Sequence, residues 1–187
     1  MLDVASGHAA ARAAAFDQVS IVTADRSHAA GLRVLVAEAL AQEGQNWSGK
    51  PTRETDAQIS LEEVMGLIAA QRSQLLVAMQ DQVIVGCVLV TRLPGSRCAL
   101  GLLGVDPRFR RRGLGAQLIA AAERAAATIF GSDQIELCVL AAREQLAAYY
   151  ARFGFAPTGE HRTVPLAEVT MEFLVMSKPL AHALVPA

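Results

Sequence analysis

Leu102-Leu-Gly-Val-Asp-Pro-Arg-Phe-Arg-Arg-Arg-Gly-Leu-Gly115 decides how this 187-residue chain is read. An apolar run ends at Val105, Asp106-Pro107 marks its exit, and Arg110-Arg-Arg-Gly-Leu-Gly115 leads into a long Ala-rich stretch. The order is strand, turn, helix. Gly113 and Gly115 carry no Cβ, so the backbone there can approach a ligand closely and take up strained angles. The amides of a first helical turn lack intrahelical acceptors and point outward, with the positive end of the helix dipole behind them. A pyrophosphate at that point would receive several charge-assisted hydrogen bonds. Arg108, Arg110, Arg111 and Arg112 add a local positive field to a chain whose net charge is −1.

Two familiar phosphate sites are excluded. A P-loop needs GxxxxGK[ST], and no Lys occurs in this stretch. A dinucleotide fold needs GxGxxG, but Leu118 stands where the third glycine belongs, and the preceding elements read as a hairpin meander rather than a β-α-β unit. The plain alternative is an ordinary tight helix entry beside a solvated arginine run. The strand, the Asp-Pro exit, the arginine triplet and the helix in one order weigh against it.

Working outward, Val19 to Thr23 alternates and is β-branched, as a first strand should be. Asp25 offers a cap, and Leu32, Leu35, Val36 and Leu40 form one helical face that Gly44 is placed to end. Residues 45–59 are polar, hold the chain's Trp, and read as a loop. Ser60-Leu-Glu-Glu63 is a capping box opening a helix over about 61–71. Leu75 to Met79 and Val83 to Thr91 predict an antiparallel hairpin, and Cys98 to Val105 returns as a fourth strand. A helix from about Gly113 to Ile129, a strand over Gln134 to Leu140, and a short helix over Glu144 to Arg152 follow. Two more strands fit near 155–160 and 169–177. Residues 1–17, Ala-rich without a lasting period, read as a frayed or partly helical extension. One α/β domain accommodates this order.

Composition narrows the class. Hydrophobic residues make up 52% and charged residues 19%, enough for a sizeable core and too apolar for disorder. Of 17 basic residues only Lys50 and Lys178 are lysines, so arginine, which forks onto phosphates, dominates. With 5% aromatics and no second basic cluster, the chain does not read as a nucleic-acid binder. Cys87, Cys98 and Cys138 are odd in number and lack CxxC spacing, which argues against a disulfide scaffold or a metal site. No apolar stretch reaches the roughly 18 residues of a membrane span. The N-terminus carries Asp3 and lacks a secretory pattern. The expectation is a cytoplasmic protein with no membrane partner.

The quoted stretch resembles the acyl-CoA-binding motif of the GNAT superfamily, the Gcn5-related N-acetyltransferases. Their [Q/R]-x-x-G-x-[G/A] after a strand ending V-x-P is matched by Arg110-x-x-Gly113-x-Gly115 after Val105-Asp-Pro107. The β-α-α-β-β-β-α-β-α-β-β order is similar too, over about 19–180. The resemblance implies a mixed central sheet of about seven strands with four helices, splayed between strands four and five. It implies one acyltransferase domain over 18–180, between the 1–17 extension and a 181–187 tail. Backbone amides of Arg111, Arg112, Gly113, Leu114, Gly115 and Ala116 would hold the coenzyme pyrophosphate, beside Arg110. Main-chain groups of Leu103 and Val105 would pair with the pantetheine arm as an added strand does.

By the same resemblance, Tyr150, four residues before Gly154-Phe155, lies beside the coenzyme sulfur. A phenol with a pKa of about 10 stays protonated at neutral pH and can supply a proton to a leaving thiolate. The Val105 amide is the implied donor to the developing oxyanion. Tyr149 points roughly 100° away on a helix and reads as packing. Many family members carry Asn seven residues before the tyrosine; here Arg143 stands there as a coenzyme-binding candidate that could reach a coenzyme carbonyl or phosphate, while the Asn contact to pantetheine does not carry over.

The base and the acceptor are less legible. The fourth strand has no carboxylate, so Glu136 on the fifth is the candidate base, against the plainer reading of a strand-end carboxylate facing solvent. Trp47 and Glu54 of the 45–59 loop are candidates for the acceptor pocket. His161 and Glu172 could reach the cleft but read as structural or exposed, and Cys138 reads as a buried small hydrophobe. The expected function is transfer of an acetyl group from acetyl-CoA to an amine by direct attack in a ternary complex, without a metal. The acceptor is a small molecule, or a peptide or protein amine. The rival is an acyl-CoA-binding sensor that has lost catalysis. The family's habit of pairing through its C-terminal strands implies a homodimer.

Overall fold

The computed structural model describes residues 19–43, 59–166 and 169–181. The strands are β1 (Ser20–Thr23), β2 (Ser73–Gln80), β3 (Val83–Leu93), β4 (Arg97–Val105), β5 (Gln134–Leu140), β6 (Ala156–Leu166) and β7 (Val169–Pro179). They form one sheet in the order β1-β2-β3-β4-β5-β7-β6. Neighbours are antiparallel except β4 and β5, which run parallel, so the sheet is mixed as expected.

Local chemistry sets much of this. Asp81 and Gln82 both adopt positive φ, 48° and 66°, between the paired residues Gln80 and Val83. That geometry matches the right-handed twist of a two-residue hairpin. The last two strands are longer than their sequence predicts: pairing with β7 carries β6 through Arg162 and Thr163 to Leu166, and pairing with β5 carries β7 through Lys178 to Pro179.

Four α-helices cover the two faces among the described residues: α1 (Ala29–Glu43), α2 (Leu61–Ala69), α3 (Leu114–Thr128) and α4 (Glu144–Ala151). Asp25 accepts from the Ser27 amide at 2.8 Å and caps a 3-10 turn over Arg26–His28 that leads into α1. The capping box of α2 forms as read: the Ser60 hydroxyl accepts from the Glu63 amide at 3.1 Å, and the Glu63 carboxylate accepts from the Ser60 amide at 2.8 Å. The segment 44–58, with Gly44, Trp47 and Glu54, lies outside the described residues, as do 1–18 and 182–187.

The core is split by the sheet. On one side, Leu32, Leu35 and Val36 of α1 and Val64 of α2 meet Leu75, Val77 and Cys87. On the other, Leu114, Leu118, Ile119, Ala122 and Ala126 of α3 meet Val88, Val90, Ile135, Leu137 and Val139. The i, i+4 spacing of the α3 set puts its large side chains on one stripe, and its alanines let the helix lie close to the strands. Leu118 is completely buried. Burial of one such side chain contributes about 1.5–3 kcal/mol.

Candidate active site

β4 and β5 pair only from Arg97 to Ala99, against Gln134 to Glu136. Beyond that point the two strands separate, so a cleft opens between Leu100–Val105 and Leu137–Leu140. A bulge accompanies the split. Gly104 faces Cys87 and Gly101 faces Leu89, so Leu102 and Leu103 oppose the single residue Val88, and Leu102 takes φ 45°. The Cys87 thiol donates to the Leu102 carbonyl at 3.5 Å. Burial pushes that thiol up to about 12, so Cys87 is a structural donor and not a nucleophile.

After the bulge the backbone is aimed. The Asp106 amide donates to the Val85 carbonyl at 2.9 Å, toward β3. Successive residues of a strand turn their polar groups to opposite edges, so Val105 and Leu103 present theirs to the cleft. The Arg110 guanidinium caps the Val105 carbonyl at 3.4 Å.

Asp106, nearly buried, pins the exit. Its carboxylate accepts from the Arg108 amide at 2.8 Å and from the Arg108 guanidinium at 2.7 Å. Arg108 holds the Asp106 carboxyl below its ordinary value, through the hydrogen bond first and charge second. The turn that follows is left-handed twice, at Arg111 (φ 58°) and at Gly113 (φ 86°), the N-cap residue of α3. Gly113 offers no side-chain cap. The amides opening α3 therefore remain available to an acceptor from outside the chain. Arg112 lies over the Phe109 ring, 6.0 Å from its centre.

A match to the Acetyltransferase (GNAT) family covers residues 35–155, more than half of the chain. The chain belongs to the GNAT family. Solved structures repeat the family's architecture. The yncA protein of Salmonella typhimurium, solved with its cofactor acetyl-CoA, is 15% identical with a TM-score of 0.69, covering 91% of this chain and 99% of its own. The paia N-acetyltransferase of Thermoplasma acidophilum, in complex with coenzyme A, is 16% identical with a TM-score of 0.68, covering 87% and 99%. A ribosomal-protein-alanine N-acetyltransferase from Escherichia coli is 16% identical with a TM-score of 0.67, covering 91% and 99%. No curated protein matches significantly by sequence. At these identities the neighbours speak for the fold alone.

Other GNAT positions fall as follows. Tyr150, on α4, is buried in the cluster of Leu114 and Leu118, with its ring edge-on to Phe155 at 6.0 Å and to Tyr149 at 5.4 Å. Arg143 is the N-cap residue of the same helix. Trp47 and Glu54 lie in the segment outside the described residues.

Glu136 requires a correction. It is buried, and its two carboxylate oxygens accept from Arg162 at 2.8 Å and Arg97 at 3.0 Å. It also stands opposite Ala99, six residues from Val105, a distance of about 20 Å along the strand. Glu136 does not face solvent: at the closed end of the cleft both of its oxygens are held by arginines. Cys138 is corrected as well: it is exposed, with Arg162 Nη1 3.5 Å from its sulfur. Desolvation of the sulfur raises its pKa, which argues against a nucleophilic thiolate. His161 and Glu172 pair with each other at 2.7 Å on exposed positions of β6 and β7.

Sequence reasoning missed the anchoring role of Asp106 and the reach of Tyr149. Asp-Pro-Arg carries the first in principle, since an Asp side chain commonly accepts from the amide two residues on. Only the packing of α4 on α3 could reveal the second.

Proposed function

We propose that this GNAT protein transfers an acetyl group from acetyl-CoA to an amine by direct attack in a ternary complex. The turn from Arg110 to Gly115, with left-handed Arg111 and Gly113 opening α3 at the cleft between β4 and β5, carries this reading. Its backbone fits a pyrophosphate because donors converge there and no Cβ obstructs them at Gly113. The amides of Arg111 to Ala116 hold the phosphates in this reading, and Arg110 adds charge. Leu103 and Val105 receive the pantetheine arm along the open strand edge.

Acetyl-CoA supplies an activated thioester. The Val105 amide donates to the charge that grows on the acetyl oxygen as the amine attacks. Tyr150 gives its proton to the departing thiolate, so the sulfur leaves as a neutral thiol, and the proton shed by the nitrogen of the attacking neutral amine returns to the phenolate. Arg143 contributes to the coenzyme side, and Trp47 and Glu54 are assigned to the acceptor side on the strength of the family resemblance. A small amine is the acceptor class that the near-zero net charge favours, with a peptide or protein amine next.

One observation favours a second reading. β4 has no carboxylate and Glu136 is occupied by two arginines, which fits a coenzyme-binding sensor without transfer. Calorimetric titration with acetyl-CoA, using ATP and NAD as controls, tests the shared site. Micromolar binding that collapses in Gly113→Asp supports it, and its absence in folded protein overturns both readings. Thiol release across a panel of amines then separates them: release supports transfer, and none with any amine favours the sensor.

A further inference from the structure

Tyr149 stands in a position its sequence reading does not explain. A Cβ built on Gly115 would lie 2.5 Å from the Tyr149 hydroxyl oxygen, closer than real Cβ atoms come to anything. Cα–Cβ bonds of a helix tilt toward its N-terminus. The hydroxyl therefore lies against the first turn of α3, whose opening amides have no intrahelical acceptor. Its ring is held there on three sides: edge-on to Tyr150 at 5.4 Å, edge-on to Phe153 at 5.0 Å, and under the Arg152 guanidinium at 5.2 Å. Burial raises the pKa of the phenol, so at neutral pH the oxygen carries its proton.

We propose that Tyr149 is a further coenzyme-binding residue: its hydroxyl donates to the phosphate held at the Arg110–Gly115 turn, and Gly115 is glycine to admit that hydroxyl. This rests on the coenzyme site proposed above and adds a residue to it. The protonated hydroxyl adds a side-chain donor to the backbone amides of that turn, and a phosphate is the chemistry that such donors recognise. The glycine is explained by the oxygen alone. The next ring atom, Cζ, lies 3.8 Å from the built Cβ, an ordinary contact.

The test is calorimetric titration of wild type, Tyr149→Phe, Gly115→Ala and the double variant. Three probes are used: acetyl-CoA, the coenzyme's phosphoadenosine-diphosphate half, and pantetheine. Tyr149→Phe keeps the ring packing and is expected to weaken acetyl-CoA and the diphosphate half by about tenfold, the size of one hydrogen bond to a charged group. Pantetheine binding is expected to stay the same. Gly115→Ala should weaken acetyl-CoA further than Tyr149→Phe does, and the double variant should return to the Tyr149→Phe level. Equal binding by wild type and Tyr149→Phe overturns the proposal and leaves the coenzyme site standing. So does a Gly115→Ala defect that persists with Phe at 149. Wild type that binds no acetyl-CoA overturns the site and this proposal together.

Discussion

Arg162 of β6 reaches across β7 to place its Nη2 2.8 Å from the Glu136 carboxylate on β5. Its Nε holds Glu160 at 2.8 Å, and Arg97 of β4 takes the other Glu136 oxygen at 3.0 Å. The carboxylate therefore ties together the two halves of the sheet just where β4 and β5 stop pairing. Replacing it by Gln leaves two guanidiniums that are 40% exposed and can rehydrate. Glu136→Gln should cost about 1–2 kcal/mol, less than a fully buried pair loses. Urea unfolding measures the cost. Thiol-release rates at saturating acetyl-CoA should stay within about twofold of wild type, and a loss of about a hundredfold, on the scale of a missing general base, would identify Glu136 as the base.

The Asp106 carboxyl titrates below its ordinary 3.8 because Arg108 stabilises its charged form. A lowered folded-state pKa means that the unfolded chain binds the proton more readily. The stabilisation is complete above pH 3.8 and drains away as pH falls through the lower folded value. In urea titrations, the midpoint gap between wild type and Asp106→Asn should be the same near pH 7 and pH 5, and narrower near pH 3. A gap that widens on acidification would contradict this pairing.

Gly113 has open space around a built Cβ, so its substitution is felt through backbone angle alone. At φ 86°, Gly113→Ala should lose about 1 kcal/mol of stability, and Gly113→Asn less, since Asn tolerates the left-handed region. Equilibrium denaturation of the two variants decides the order. Equal losses would mean that the turn relaxes.

Tyr150→Phe keeps the buried ring against Phe155 and removes only the hydroxyl. If that hydroxyl protonates the leaving thiolate, kcat should fall by about a hundredfold with little change in the KM for acetyl-CoA. Steady-state kinetics with an accepted amine give both constants. A KM effect with kcat intact would make Tyr150 a binding residue instead.

Much of this molecule is written locally. The capping box at Ser60 and the helix entry at Gly113 depend on residues within a few positions of each other, and so do the hairpin around Asp81-Gln82 and the strand exit at Asp106-Pro107. Backbone angles and helix caps respond to such neighbours whatever the rest of the chain does. Hence the element order, the mixed fold and the glycine turn that opens α3 were legible, and the GNAT resemblance followed from them. The fates of Glu136, Cys138 and Tyr149 were not. Glu136 and Cys138 meet Arg162, whose long side chain spans β7 from β6, a neighbour that only the strand order supplies. Tyr149 meets Gly115 because α3 and α4 share one face of the sheet. Period and composition state which face of a strand is apolar; which distant side chain arrives opposite a polar one is decided by strand order and helix packing, and those exist only in the folded chain.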